Sequence, residues 1–257
     1  MSKTGSALLY RCISHVGMVR KENQDSYGVF TSRHGRGRSR PVLFVVADGM
    51  GGHRGGKEAS ALAVKTIGKE FVSDGEGNMQ VSLANALQAA NAAICSAGRE
   101  NPDLSGMGTT CVALAVKGSS VFVAHIGDSR AYSVTEDGIL QLTEDHSVVA
   151  DMLRRGLVTA EQARTHPERS VLYRALGADT SADIDIQPEH VVREEEWFVL
   201  CSDGLTNMVE NEEIHRLVMA FPPKQACSRL VALANKRGGY DNVTVIVVHV
   251  PPLQKEP

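Results

Sequence analysis

The pattern of apolar positions along the chain predicts a series of short β-strands. Each predicted strand is an apolar run rich in Val, Ile and other residues that favour an extended backbone. We predict strands at Leu8–Ser14, Ser26–Phe30, Val42–Ala47, Thr109–Val116, Val121–Ile126, Ala131–Val134, Ile139–Leu142, Ile184–Gln187, Trp197–Cys201 and Val243–Val250. Most of them follow one another closely, so we expect short turns between antiparallel neighbours.

Apolar residues at helical spacing predict helices that come in consecutive pairs. The two long pairs are Lys57–Val72 with Val81–Ala97, and Asn211–Phe221 with Pro223–Lys236. A shorter pair is predicted between Ser147 and Ala163, with a break at Gly156 and a capping-box pattern from Thr159 to Gln162. Because the helices are paired and the strands are grouped, the pattern favours an α+β layered domain with mainly antiparallel sheets and the helices outside.

The length and composition fit one folded domain. The chain has 257 residues, of which 42 % are hydrophobic and 22 % are charged, so it can bury a substantial core. No internal repeat and no linker divides the sequence, and we therefore expect a single domain over residues 1–257. The Gly/Arg-rich stretch from Arg33 to Arg40 is expected to be a solvated hairpin-type loop.

Net charge and cysteine usage narrow the choice of partners and location. The net charge is −3 with no long run of one sign, so we expect no nucleic-acid partner. No apolar run approaches membrane-spanning length, and the first twenty residues lack the apolar stretch of a secretion signal, so we expect no membrane association. The five cysteines are scattered without a C-x-x-C pair, which favours reduced thiols and a cytoplasmic location.

The segment VVADGMGGHRGGKE, at residues 45–58, has competing interpretations. Gly51–Lys57 has the G-x-x-x-x-G-K spacing of a phosphate-binding loop, but Glu58 stands where that loop needs a Ser or Thr to bind magnesium. The dinucleotide-binding fingerprint fails because Arg54 stands in place of its third glycine. The other possibilities are a plain turn beginning at Asp48 and a metal site that uses this carboxylate.

Aspartates stand at the ends of several predicted strands. They are Asp25, Asp48, Asp128, Asp203 and Asp241. Each one alone is more typical of a turn, but neighbouring strand ends lie about 5 Å apart, so the carboxylates can converge at one end of a sheet. Converging carboxylates repel one another unless a cation lies among them. Oxygen ligands alone favour Mg²⁺ or Mn²⁺, and two such ions would lower the pKa of a shared water molecule, which suits phosphate ester hydrolysis.

A series of short motifs resembles one known family. In chain order the motifs are VRKENQD, ADGMGG, GMGTT, GDSRAY, LTEDHS, CSDGL and DNVTV, and they span Val19 to Val245. This ordered set is similar to the metal-dependent protein phosphatases (PPM), the type 2C serine/threonine phosphatases, and more narrowly to their compact bacterial members. The resemblance implies a β-sandwich flanked by pairs of helices (α-β-β-α). It also implies a two-metal centre at one end, with a flap at about residues 147–170 beside it.

The same resemblance implies roles for the predicted ligands. Asp48 would bridge both metal ions, and the carbonyl of Gly49 would be a further ligand. Asp203 and Asp241 would complete the ligand shell. Asp25 would act through bound water.

The resemblance also implies a phosphate-binding group and a third metal ion. Arg20 would hold the substrate phosphate, a role that suits a guanidinium group. Asp128, together with Asp203, would hold the weaker third ion described for bacterial members. Met50 stands where the eukaryotic pattern has a histidine, and the nearest histidine is His53. His53 is either a proton donor to the leaving alcohol or a loop residue that only forms hydrogen bonds.

The leading interpretation is a serine/threonine protein phosphatase that depends on Mn²⁺ or Mg²⁺. Its substrates would be phosphorylated proteins, its opponent a cognate bacterial Ser/Thr kinase, and we expect a monomer. One alternative is a nucleotide-binding NTPase that uses Gly51–Lys57. Another is a phosphoprotein-binding module with an inactive centre, against which the complete set of family carboxylates argues. We expect structural roles for His125 and His146.

Overall fold

The strands form two antiparallel sheets. The structure, a computed structural model, describes residues 8–50, 52–73 and 77–252. Its strands are β1 (Leu9–His15), β2 (Asp25–Thr31), β3 (Val42–Met50), β4 (Gly108–Thr109), β5 (Cys111–Lys117), β6 (Ser120–Ile126), β7 (Arg130–Thr135), β8 (Gly138–Gln141), β9 (Asp185–Ile186), β10 (His190–Val191), β11 (Glu196–Cys201) and β12 (Val243–Val250). One sheet has the order β1-β12-β11-β7-β8 and the other β10-β6-β5-β3-β2, with β4 paired to β3 and β9 to β6. The sheets therefore have the mainly antiparallel character that the sequence predicts.

The four longest helices of the described chain lie outside the sheets in two pairs. The helices are α1 (Gly52–Ser73), α2 (Met79–Glu100), α3 (Val148–Arg154), α4 (Ala160–Thr165), α5 (Asp203–Thr206), α6 (Asn211–Ala220) and α7 (Pro223–Lys236), and the two pairs are α1 with α2 and α6 with α7. One buried cluster joins α1 and α2 to the seven-stranded sheet, and a second joins α6 and α7 to the five-stranded sheet. A third cluster fills the space between the sheets, which confirms the predicted α-β-β-α sandwich.

The central strands are buried on both faces. In β3, Leu43 and Val45 pack towards the helices, while Phe44 and Val46 belong to the cluster between the sheets. Both faces of such a strand are apolar, which is why it appears in the sequence as a continuous apolar run rather than an alternating one.

The end of β3 and the start of α1 differ from the prediction. Asp48 and Gly49 are still part of β3, so the plain-turn interpretation was wrong. The strand continues because its last two residues pair with β4, a contact that the local pattern does not reveal. α1 begins at Gly52 rather than at Lys57, because packing outweighs the low helix propensity of its glycines. Most of Gly51–Lys57 is therefore helix, and Gly51 itself lies outside the described residues.

The sequence pattern also did not predict the shortest elements as separate strands or helices. β4, β10 and α5 are each two to four residues long, too short to show a periodic pattern. Within the described parts of the chain, none of the helices is both long and apolar enough to cross a membrane.

The segment between β8 and β9 contains the predicted flap. Ser147 caps α3, and Thr159 forms the predicted capping box with Gln162 at the start of α4. Ser147 also forms a β-bridge with Leu172, so the two ends of the segment lie side by side. Movement of this segment stays a prediction.

Candidate metal centre

Asp25 and Asp48 lie opposite each other in neighbouring strands. β2 begins at Asp25 and pairs with β3, where Asp48 is its direct cross-strand partner. The side chains of such a pair point to the same face, with Cβ atoms about 5 Å apart. Thr109 and Thr110 fix the backbone of Asp48: the Thr109 hydroxyl donates to the Asp48 carbonyl at 2.8 Å, and the Asp48 N–H donates to Thr110 Oγ1 at 3.0 Å.

Asp203 and Asp241 come from two neighbouring strands of the other sheet. Asp203 follows β11 and starts α5, while Asp241 lies just before β12, the antiparallel neighbour of β11. A Cβ atom at Gly204 would lie 1.9 Å from the carbonyl oxygen of Asn242. Only glycine permits this close approach, which brings the two aspartate-bearing segments together.

Asp128 lies in the turn where the chain passes from one sheet to the other, between β6 and β7. The hydroxyl groups of Ser129 and Thr110 are hydrogen-bonded at 2.7 Å, which ties this turn to the backbone around Asp48. Asp48, Asp128, Asp203 and Asp241 line one cleft of about 850 Å³. Asp25 is buried beside them, and we call the five residues the carboxylate centre.

Burial and mutual repulsion make the carboxylate centre costly to ionise. Burial raises the pKa of Asp48 well above its usual value, and the charges of the other four carboxylates raise it further. Burial also raises the pKa of Asp25 to about 7, although hydroxyl groups that donate to this carboxylate oppose the shift. The pKa values of Asp128 and Asp203 are raised by burial and by neighbouring carboxylates. The centre therefore favours a state in which positive charge is present.

Two carboxylate oxygens of the centre are buried without a hydrogen-bond partner among the described residues. Asp25 accepts hydrogen bonds from the Ser202 and Thr244 hydroxyls through Oδ2, both at 2.7 Å, while its Oδ1 has no partner in this part of the chain. Asp203 accepts from Asn207 through Oδ2 at 3.0 Å, and its Oδ1 is likewise unpartnered. Leaving such atoms unsatisfied is costly. A divalent cation would satisfy them, and the all-oxygen donor set fits Mn²⁺ or Mg²⁺.

Arg20 stands at the mouth of the cleft. Its Nη2 donates to Asp241 Oδ2 at 2.7 Å, and more than half of its side chain is exposed. Because a guanidinium group has five N–H donors, this contact leaves others for a phosphate group. Lys57, the lysine of the phosphate-loop spacing in the sequence, is instead exposed and paired with Glu22 at 2.9 Å.

Of the remaining predicted site residues, the structure places Gly49 but not His53. Gly49 borders the cleft, and a Cβ atom there would lie 2.0 Å from the carbonyl oxygen of Gly56, so glycine is needed where α1 meets β3. The side chain of His53 lies outside the described residues, and its role as a proton donor stays a prediction. Met50 lines the cleft.

The sequence analysis missed the small polar residues that hold the site together. The Asn242 side chain accepts a hydrogen bond from the Gln24 N–H at 2.8 Å and donates to the carbonyls of Val16 and Glu22, at 2.9 and 3.0 Å. These bonds fix the loop that carries Arg20. A signal for such residues was present, since Ser and Asn flank the aspartates in GDSRAY, CSDGL and DNVTV, and two threonines end GMGTT, all beside apolar strands.

A second group of ligand-type residues shares no member with the carboxylate centre. In this histidine cluster, one atom each from His125, His146 and Asp185 lies within 4.8 Å of the others. Arg174 already occupies it, with Nη1 3.0 Å from Asp185 Oδ1 and 3.3 Å from His146 Nε2. The imidazole rings are stacked, with centroids 4.9 Å apart and planes inclined by 23°, so their in-plane lone pairs do not converge on one point. We therefore assign no metal ion to the histidine cluster.

Comparison with known proteins gives one consistent result. The profile of the family described as Protein phosphatase 2C matches residues 18–238. The serine/threonine phosphatase stp of Listeria innocua is 36 % identical over 246 residues, which cover 93 % of this chain and 94 % of that protein. The crystal structure of the Mycobacterium tuberculosis serine/threonine phosphatase PstP/Ppp matches with a TM-score of 0.84 and 34 % identity, covering 95 % of this chain and 99 % of that one. The catalytic domain of PstP in complex with 2 manganese ions matches with a TM-score of 0.81 and 33 % identity, covering 95 % and 98 %.

The fold and the carboxylate centre define a metal-dependent protein phosphatase of the serine/threonine class. The chain belongs to the protein phosphatase 2C family. The family resemblance, the enzyme class and the Mn²⁺ or Mg²⁺ cofactor predicted from the sequence are thereby confirmed, and nucleotide hydrolysis is not favoured.

Proposed function

We propose that this phosphatase hydrolyses phosphoserine and phosphothreonine in proteins by means of two divalent cations held in the carboxylate centre. Asp48 would bridge the two ions, and the Gly49 carbonyl would add a ligand. Asp203 and Asp241 would complete the ligand set, with Asp25 acting through bound water. The observation that carries this assignment is the pair of buried oxygens, without a partner in the described chain, among five converging carboxylates.

The chain's own side chains would bind and orient the phosphate ester. When bound, the ions supply the Lewis acidity that lowers the pKa of a water molecule and offsets the charge of the phosphate. Arg20 would bind phosphate oxygens with the N–H groups that Asp241 does not use. Thr110 keeps Asp48 in register with the turn that carries Asp128. His53 is the candidate donor of a proton to the leaving alcohol.

Asp128 and Asp203 would share the third, weaker ion. The proximity of the two carboxylates supports this assignment, because Asp203 is the charged group that raises the pKa of Asp128 most after burial. A site with so few protein ligands would remain largely hydrated and would exchange its ion readily.

Partners and location follow from the same assignment. The substrates would be phosphorylated proteins, and the opposing enzyme a cognate Ser/Thr kinase of the same cell. We expect one catalytic domain over residues 1–257 that acts as a monomer in the cytoplasm, which the five unpaired cysteines favour. Residues 147–170 would act as the flap, since Ser170 borders the cleft.

The test is an assay of p-nitrophenyl phosphate and a phosphothreonine peptide, with Mn²⁺ and with excess chelator. We expect turnover of both compounds with Mn²⁺ and none with chelator. Full turnover in chelator after dialysis would contradict the two-ion assignment. Faster hydrolysis of ATP than of the peptide would favour an NTPase, and peptide binding without turnover would favour an inactive binding module.

A further inference from the structure

Three exposed apolar side chains form one patch at the edge of the active-site cleft. Met18 and Val19 are 66 % and 60 % exposed in the loop between β1 and β2, and Tyr240 is 63 % exposed just before β12. None of the three belongs to a buried cluster of the described chain, so their exposure is not compensated by contacts in the core. We call them the apolar rim.

The residues of the apolar rim are held together by a glycine turn. The Met18 N–H donates to the Gly239 carbonyl at 2.7 Å. A Cβ atom at Gly239, where φ is +51°, would lie 2.8 Å from Met18 Cγ, and one at Gly238 would lie 2.7 Å from the Tyr240 ring. The side chains of Met18 and Tyr240 therefore both cover the Gly238–Gly239 turn. The turn has no side chains of its own, so the two apolar groups lie against the same stretch of backbone.

The apolar rim adjoins the groups assigned to phosphate and metal binding. Val19 lines the cleft, and the next residue is Arg20, which pairs with Asp241 at 2.7 Å. Tyr240 directly precedes Asp241. The rim thus joins the cleft through Val19 and adjoins the cleft residue Asp241 through Tyr240.

Exposed apolar residues are common as single side chains, whereas a contiguous patch marks a surface that binds something. The position of this patch restricts what it binds. Consecutive Cα atoms of a peptide lie about 3.8 Å apart. When the cleft holds the phosphate group of one substrate residue, the one or two residues beside it in the substrate chain would therefore reach the rim. A flat, amphipathic tyrosine beside a methionine is typical of surfaces that accept apolar side chains.

We propose that the apolar rim binds an apolar side chain next to the phosphorylated residue of a protein substrate, and so gives the enzyme a preference for such sequences. The proposal rests on the proposed function, because the phosphate must be held in the cleft. The occupant is a segment of a phosphoprotein, since the rim continues directly from the cleft that the phosphorylated residue enters.

The experiment compares phosphothreonine peptides that differ only in the flanking residues, either Leu and Phe or Ser and Gln, in the presence of Mn²⁺. For the wild type we expect kcat/KM to be roughly tenfold higher for the apolar peptide. In Tyr240→Ser and in Met18→Gln this ratio should fall towards one. Leu140→Ser is the matched control, because Leu140 is 63 % exposed in β8 and does not line the cleft, and its ratio should stay at the wild-type value.

The outcomes separate the two proposals. A wild type that hydrolyses neither peptide would overturn the proposed function together with this inference. A wild type that hydrolyses both peptides equally well would overturn only the inference. The inference would also fail if the two rim variants kept the tenfold ratio, or if they lost turnover of p-nitrophenyl phosphate in the same proportion as turnover of the apolar peptide.

Discussion

The carboxylate centre and the histidine cluster both bring ligand-type side chains together, but they differ in how charge is balanced. The centre gathers five carboxylates and leaves two buried oxygens without a partner in the described chain. The histidine cluster has a single carboxylate, Asp185, and Arg174 neutralises it at 3.0 Å. Uncompensated buried charge therefore indicates a cation site at the carboxylate centre, whereas the proximity of ligand atoms in the histidine cluster does not.

The histidine cluster supports the turn that carries Asp128. His146 Nδ1 accepts a hydrogen bond from the Gly127 N–H at 3.1 Å, and the His146 backbone N–H donates to the Gly127 carbonyl at 3.0 Å. Since Nδ1 is an acceptor, the neutral ring carries its proton on Nε2, which faces Asp185 Oδ2 at 3.2 Å. These contacts agree with the structural role predicted for His146. His125 is buried, which agrees with the structural role predicted for it, but its Nδ1 has no hydrogen-bond partner among the described residues.

The largest effect is expected from Asp48→Ala. This change removes the carboxylate that all the others of the centre surround, so Mn²⁺ binding should be lost and turnover of p-nitrophenyl phosphate should fall by at least roughly 10³-fold. The matched control is Lys57→Ala, which removes only an exposed ion pair with Glu22 and should leave turnover within about twofold. Calorimetric Mn²⁺ titration and steady-state kinetics measure both effects. If Lys57→Ala were the inactive variant instead, the phosphate-loop interpretation of this segment would be restored.

A matched pair of carboxylate-to-amide changes tests the carboxylate centre against the histidine cluster. Asp241→Asn keeps the shape of a proposed ligand but removes its charge, so Mn²⁺ affinity and turnover should both fall, by roughly a hundredfold. Asp185→Asn makes the same chemical change in the histidine cluster and should leave Mn²⁺ stoichiometry and affinity unchanged. It should lower the free energy of unfolding by only about 1 kcal/mol, since the lost contacts with Arg174 and His146 are partly exposed. Equal Mn²⁺ titrations of wild type and Asp241→Asn would contradict the ligand assignment.

The sequence predicted the long elements because their periodic patterns are strong and local. It also predicted that the five aspartates converge, because each one stands at the end of an apolar run. It did not predict that β3 continues past Ala47, since Asp48 pairs with Asp25 in β2, and the last two residues of β3 pair with β4 from a distant part of the chain. Nor could it find Asn242 as the anchor of the Arg20 loop, because its partners Gln24, Val16 and Glu22 are more than 200 positions away in sequence. Hydrogen bonds of this kind become visible only when the sandwich closes.

A smaller effect is expected from Asp128→Ala. If Asp128 is a ligand only of the third ion, the variant should keep two tightly bound Mn²⁺ ions while turnover falls by roughly tenfold. The reason is that Asp128, in the turn between β6 and β7, lies close to Asp203 and is not among the residues proposed to hold the two core ions. Crystals of the variant grown with Mn²⁺ would show two ions where wild type shows three. Wild-type turnover of a phosphopeptide by this variant would make Asp128 a turn residue without a metal.

The smallest effect concerns the histidine cluster and pH. Burial lowers the pKa of His125 below its usual 6.5, and the neighbouring His146 adds to this, while Glu144, Asp185 and Asp145 oppose it. His125 Nε2 lies 2.8 Å from the Glu144 carbonyl oxygen and 3.2 Å from the Glu144 backbone nitrogen, so Glu144 is a partner for it in either neutral tautomer. The charged ring carries a proton on Nδ1 as well, and this proton has no acceptor in the described chain. The folded state therefore binds fewer protons than the unfolded state, and stability is lost as the pH falls below about 6.5.

The His125→Gln variant lacks this titrating group, so its free energy of unfolding should fall less than that of the wild type between pH 7 and 5.5. The difference between the two losses should be at most about 1.4 kcal/mol. Urea unfolding of wild type and variant at each pH, without added metal, measures the difference. At pH 7 the variant should be no more stable than wild type, because a neutral His125 is not strained there. The prediction fails if both proteins lose the same free energy of unfolding over this range, since the buried ring would then accept a proton at no cost.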